Sequence, residues 1–424
     1  MPRHLIGLVA FLAFALVTVA LRLSGVHLPP LAQVCVFGGG IVVCAMLMGT
    51  ASELAQLEIS QNLALVVVAL LAVLPEYSID VYLGWRAGEH PEYAPLALAN
   101  MTGANRLLIG IGWATVAFLW WKRSGKRAIT LPAASAGEIV FLGLATIWSF
   151  AIPFKGTLSL LDTAILLAIF LMYLRFARAQ EVDEPELVGP AEVLARLPRR
   201  PRLWINWLIF LVAGGGIFAS SEPFVEGLIE TGTKLGIDHY YLIGWIAPLA
   251  SESPEFLVAG MLVWKMRPTA GMGAVLSSQL NQWTLLVGAL PVAFTLSHAI
   301  HSGTFASLPI DHRQFDEILL TATQSFLGVT VLLDRSFRIS EAAWLVVLFV
   351  AQLTGVIALE QRHPPDVEHL LSLEKRAFAG MHMLVGSFYL WRNRALVKGL
   401  WRTARLKERP APDAGDGHGN SGGS

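Results

Sequence analysis

Two Pro-Glu pairs sit in apolar stretches long enough to cross a bilayer, AVLPEYSID around Glu76 and SESPEFLVA around Glu255. A carboxylate at that depth costs about 2.5–3.5 kcal/mol on insertion scales. Two of them in matching halves of one chain point to an ion site near the bilayer midplane, as in carriers built from repeats. Proline inside a spanning helix removes a hydrogen bond and loosens the preceding turn, so Pro75 and Pro254 are expected to free carbonyls beside the acids. Carbonyls and carboxylates together suit a hard cation such as Ca²⁺ or Na⁺. The bland reading, a packing kink with a paired Glu, would explain one such motif more easily than two symmetric ones.

Further oxygen donors cluster around the second pair. Glu252 lies three residues before Glu255, on the same helical face, and Ser251 and Ser253 flank it; the first half has Ala72, Val73 and Leu74 there. Asp80, one turn past Glu76, is read as a vestibule carboxylate near the outer mouth. Asn100 and Asn105 in the following helix are expected to face Ser278, Gln279, Asn281 and Gln282. Amides of this kind can also simply join helices. Arg106 lies too deep to snorkel and needs an acid; Glu76, Glu252 and Glu255 are the candidates. Its guanidinium would then either fill the place of a second cation or lock two helices together.

These side chains need a membrane scaffold to hold them. The 424 residues are 54% hydrophobic and 15% charged, with a net charge of zero. That describes an integral membrane protein and gives no hint of a nucleic-acid partner. Cys35 and Cys44, nine apart on one helix, cannot bridge. No zinc spacing, nucleotide loop or convincing nucleophile appears, so the chain is not expected to be an enzyme. Hydropathy predicts twelve spans, at 5–25, 33–51, 61–87, 92–121, 136–154, 159–178, 203–221, 239–266, 269–299, 314–334, 340–360 and 375–393. With the N-terminus inside, twenty-two of the 31 Lys and Arg fall on the inner side, which favours cytoplasmic termini and the cell (inner) membrane. Lys375 and Arg376 fall at the mouth of the last span.

FGGGI at 37–41 and AGGGI at 213–217 each precede a Pro-Glu hairpin by a similar distance. The units between span five helices, and an odd count inverts the second copy. The expected fold is an all-α polytopic membrane protein of about 12 transmembrane helices, with two inverted-topology five-helix repeats and one extra helix at each end. The domains read as an extra helix at 1–30, a first repeat at 31–178, a linker at 179–202, a second repeat at 203–360, an extra helix at 361–400 and a disordered tail at 401–424.

The hairpins resemble the calcium/cation antiporter superfamily, whose members carry G-T-S-x-P-E followed by G-N-x-x-G-S-N-x-x-N in each repeat. Glu76, Asn100, Gly103 and Asn105 match in the first copy; Ser251, Glu255 and Ser278 match in the second. Gln279 and Gln282 stand where that pattern has Asn, Leu108 replaces the last Asn of the first copy, and Arg106 and Glu252 are additions. The resemblance implies antiport of Ca²⁺ or a related cation against Na⁺ or H⁺ by alternating access, with the ions bound transiently and no other cofactor. Partners would be the lipid bilayer, inorganic cations and protons. A Na⁺/H⁺ antiporter, a cation channel and a transport-dead scaffold are the other readings.

Overall fold

The computed structural model describes residues 3–58, 73–177, 187, 189–362 and 364–403. Its helices are α1 (Arg3–Ser24), α2 (Pro30–Ala55), α3 (Leu74–Glu89), α4 (Ala94–Leu107), α5 (Trp113–Ser124), α6 (Ser135–Lys155), α7 (Leu160–Ala177), α8 (Arg199–Leu235), α9 (Ala247–Trp264), α10 (Pro268–Asn281), α11 (Val287–Ser302), α12 (His312–Val331), α13 (Ile339–Arg362) and α14 (Val367–Thr403). Three π-helical turns interrupt the run. Leu108–Gly112 joins α4 to α5, Leu242–Ile246 precedes α9, and Gln282–Leu286 joins α10 to α11.

The chain is a polytopic all-α membrane protein. Eight helical stretches among the described residues are long and apolar enough to cross a bilayer. The expected spans outside these eight contain α3 (residues 61–72 of its span lie outside the described residues), α4–α5, α12 and α14. These carry Asp80, Arg106, Glu317 and Lys375, all buried, so their polarity is turned inward and answered there rather than offered to lipid.

Four short strands reveal the inversion. β1 (Ala128–Thr130) pairs antiparallel with β4 (Ser336–Arg338), and β2 (Thr157–Leu158) pairs with β3 (Leu308–Pro309). Helix α6 runs from β1 to β2, while α12 runs from β3 to β4. The two packed helices are therefore antiparallel, and the two sheets lie at opposite faces of the molecule. Thr146 and Ser325 share a hydroxyl hydrogen bond of 2.7 Å across their contact. Each sheet takes one strand from each repeat.

The glycine triplets meet where α2 crosses α8. A Cβ on Gly40 would lie 3.0 Å from Ser220 Oγ, and one on Gly216 would lie 2.5 Å from Cys44 Sγ. These contacts are equivalent under the repeat register, as are Gly38 with Phe224 and Gly214 with Met48. Small residues let the two helices approach closely in the absence of a water-driven force between them.

Several boundaries differ from those read in the sequence. Helix α8 begins at Arg199, inside the expected 179–202 linker, and runs to Leu235. Helix α14 extends to Thr403, beyond the expected span and into the expected tail. Both ends are basic and polar, so hydropathy stops where the bilayer does and the helix continues. The expected elements over 59–72, 178–186 and 404–424 lie outside the described residues.

Candidate cation site

Helices α3 and α9 run in opposite directions and bring their Pro-Glu pairs together. One oxygen from each of Glu76, Glu252 and Glu255 lies within 4.8 Å of the other two. Glu76 is 3% and Glu252 0% exposed; Glu255 is half-buried. Among the described residues, both oxygens of Glu76, Oε2 of Glu252 and Oε2 of Glu255 are buried without a hydrogen-bond partner.

The amides around them are arranged in one sense. Gln279 Nε2 donates to Asn105 Oδ1 at 2.8 Å, joining equivalent positions of the two repeats. Gln282 Nε2 donates to Glu252 Oε1. Asn100 Nδ2 donates to Asp80 Oδ1 at 2.7 Å. With these donors engaged, the Oε1 atoms of Gln279 and Gln282 and the Oδ1 atoms of Asn100 and Asn281 remain buried acceptors without partners. These amides thus leave their oxygens, and not the N–H groups named, without partners. Ser278 is buried beside Gln279.

Close helix contact sets this geometry. A Cβ on Gly103 would fall 1.6 Å from the carbonyl oxygen of Gly244, so only glycine permits α4 to cross the π turn before α9 at this distance. Asn105 is half a turn further along α4. The π turns at Leu108–Gly112 and Gln282–Leu286 begin at equivalent positions, directly after the polar stretches, a placement common at functional sites.

Five sequence readings need correction. Arg106 meets none of the three clustered acids. Its Nη1 lies 2.8 Å from Glu317 Oε2, and it donates to Gln352 Oε1. As Asn105 faces Gln279, its neighbour is turned about 100° round the helix, toward α12 and α13. Lys375 is not at a mouth: it is 2% exposed and 2.9 Å from Glu317 Oε1. Asp80 is likewise buried on Asn100 rather than placed in an exposed vestibule. Asn100 therefore faces Asp80, while Asn105 alone of the pair reaches the second-copy amides. Ser251 and Ser253 act as donors to carbonyls of their own helix, in keeping with their reading as donors or oxygen ligands, since each hydroxyl oxygen keeps its lone pairs. Ser253 Oγ is 2.9 Å from Ala250 O, the carbonyl that Pro254 leaves without its helical donor, so that oxygen is satisfied locally. The turn before Pro75 lies outside the described residues.

Sequence reasoning missed Glu317, Gln352 and Glu374. Gln352 Nε2 donates to Glu374 Oε2 at 3.2 Å, and Gln324 Nε2 donates to the Arg106 carbonyl at 3.1 Å. The available signal was a polar stripe in α12 and α14 opposite an unpaired intramembrane Arg.

The sequence model for "Sodium/calcium exchanger protein" matches residues 29–178 and 205–358. The chain belongs to the sodium/calcium exchanger family. Among solved exchangers, it is similar to the H⁺/Ca²⁺ exchanger CAX, with 36% identity and a TM-score of 0.87 over 96% of this chain and 98% of that one. It shares the fold of the sodium-calcium exchanger NCX_Mj at 15% identity and a TM-score of 0.52, over 78% of this chain and 99% of that one. The putative antiporter CaxA of Alkalimonas amylolytica is 26% identical over 147 residues; that match spans 35% of this exchanger and 43% of the relative, less than half its length.

Proposed function

We propose that this chain exchanges Ca²⁺, or a closely related divalent cation, for protons at the Glu76–Glu252–Glu255 cluster. One observation carries the reading: three carboxylates converge there with buried oxygens left without partners, while the amide N–H groups of Asn100, Gln279 and Gln282 are already bonded to protein. Such a site attracts a hard cation. Glu76 and Glu255 bind it directly; Glu252, Asn105, Ser278, Gln279 and Gln282 complete or tune the site, with Asn100 and Asp80 behind them.

Antiport follows from the same chemistry. Carboxylates left without a counter-charge in a dehydrated interior are costly, so one positive species leaves as another arrives. Each carboxylate can take one proton in place of its share of the cation's charge, and similarity to a protein described as an H⁺/Ca²⁺ exchanger favours protons over Na⁺ as the partner. The pair α2–α8 and α1 rock as a gate about the remaining bundle. The Lys and Arg bias supports a cytoplasmic β1–β4 face and a cell-membrane location.

Reconstituted liposomes test this. Ca²⁺ uptake driven by an imposed pH gradient is expected, and Glu76→Gln and Glu255→Gln should each abolish it. Uptake that survives both changes removes the site assignment. Uptake that answers only to a Na⁺ gradient overturns proton coupling.

A further inference from the structure

In a molecule built from inverted repeats, a contact at one face has a register-equivalent at the other. The glycine crossing of α2 and α8 keeps both members of each pair. The seam between α3 and α8 does not. Near the β2–β3 face, Ser221 Oγ donates to Ser78 Oγ at 2.6 Å. The hydroxyls of Tyr82 and Tyr93 both donate to Glu226 Oε1, at 2.6 and 2.7 Å. Gln33 Nε2, on α2, donates to Pro223 O at 2.7 Å. The Arg86 guanidinium sits 5.1 Å from the Tyr93 ring centre.

The registers that match Glu76 with Glu255 and Gly38 with Gly214 identify the counterparts at the β1–β4 face. Leu257 stands for Ser78, Ala45 for Ser221, Met261 for Tyr82 and Thr50 for Glu226. Leu, Ala and Met have no hydroxyl or carboxylate to offer. Thr50 Oγ1 donates to its own helix, to Met46 O at 3.1 Å. At these four positions the hydrogen-bonded seam is thus one-sided by residue type.

The apolar packing has the same sense among the described residues. Toward the β2–β3 face, Phe37, Ile41, Phe224, Val225 and Leu228 join the main core. Toward the other face, Leu47, Met48, Ile209 and Ala213 belong to a separate cluster shared with α1.

We propose that Glu226, gripped by Tyr82 and Tyr93, latches the α2–α8 pair shut over the β2–β3 end of the cation site, so that the resting carrier is closed to that face. The latch rests on the alternating-access reading above. Exposing the site to the β2–β3 face requires both tyrosine bonds to break, and the register-equivalent positions Leu257, Ala45 and Met261 cannot rebuild the same set at the other end. Phenol-to-carboxylate bonds are charge-assisted and stronger than neutral ones. The latch therefore governs the balance between the two access states, while the carboxylate cluster governs what is carried.

Spin labels test the latch in reconstituted full-length protein. Leu31→Cys on α2 and Ile300→Cys on α11 are exposed positions near the β2–β3 face; exposed Cys35 is replaced by Ser and buried Cys44 is kept. Wild type should give mainly the short inter-label distance. Tyr82→Phe/Tyr93→Phe keeps both rings, and Glu226→Gln keeps the side-chain shape. Each variant should raise the ratio of long to short distances by about tenfold, with single Tyr→Phe changes intermediate. Distance distributions identical to wild type in both variants overturn the latch. Failure of the transport reading would look different: wild-type liposomes would pass no Ca²⁺, whatever the distances.

Discussion

Glu76 keeps two buried oxygens without a donor, only a few ångströms from two other acids. Arg106, the basic neighbour of Asn105, is directed elsewhere. It shares Glu317 with Lys375, and all three are at most 5% exposed. The basic residue that could have neutralised the cluster is thus held in a structural network, and the acids remain available to a mobile cation. Glu317→Gln should leave two buried cations with less than their due. A loss of about 3–5 kcal/mol is expected on breaking a buried pair of this kind. Glu317→Gln/Lys375→Met should recover part of it, since both signs are removed together. Thermal unfolding of the purified variants checks both. The clustered acids were legible in the sequence because Pro-Glu is rare in apolar runs. The partner of Arg106 was not, because helical direction decides whom a side chain meets and acids far along the chain compete equally.

At the scale of elements, the end of α2 is tied to the start of α8. Glu58 lies 2.9 Å from Arg199 Nε and also pairs with Arg202. This joins the two helices at the face opposite the tyrosine latch, outside the membrane spans. The Arg202 guanidinium, with Arg199 behind it, holds the Glu58 carboxyl below its ordinary value. A lowered folded value means that Glu58 stabilises the protein above the unfolded carboxylate range and ceases to do so as pH falls through the lowered value. Wild type should therefore be more stable than Glu58→Gln near pH 7, and the gap in melting temperature should close as the pH is taken below about 4. A gap that persists in acid would contradict this account. Residues 52–60 carry only acids, Glu53 and Glu58, on a side otherwise rich in Lys and Arg, and Glu58 anchors two of those arginines.

For the molecule as a whole, the repeats and their inversion were readable from FGGGI, AGGGI and the paired hairpins, because each is a short string with a fixed distance to its acid. Helix lengths were less readable. Basic and amide-rich turns carry α8 and α14 beyond the apolar windows that hydropathy detects. The one-sidedness of the seam was also hidden, since it needs the register of α3 against α8 and not the sequence of either.

Each miniature sheet borrows one strand from either half, and glycines of each triplet make room for side chains on the other half's helix. Neither half is a finished object: alone it would expose two orphan strand edges and a notched helix with nothing to fill the notch. Made as separate polypeptides divided in the 178–188 stretch and co-expressed, the halves should find each other, and a tag on one should retrieve the other; produced singly, each should aggregate. What joins the two copies is less the covalent thread between them than the mutual incompleteness that their inversion created.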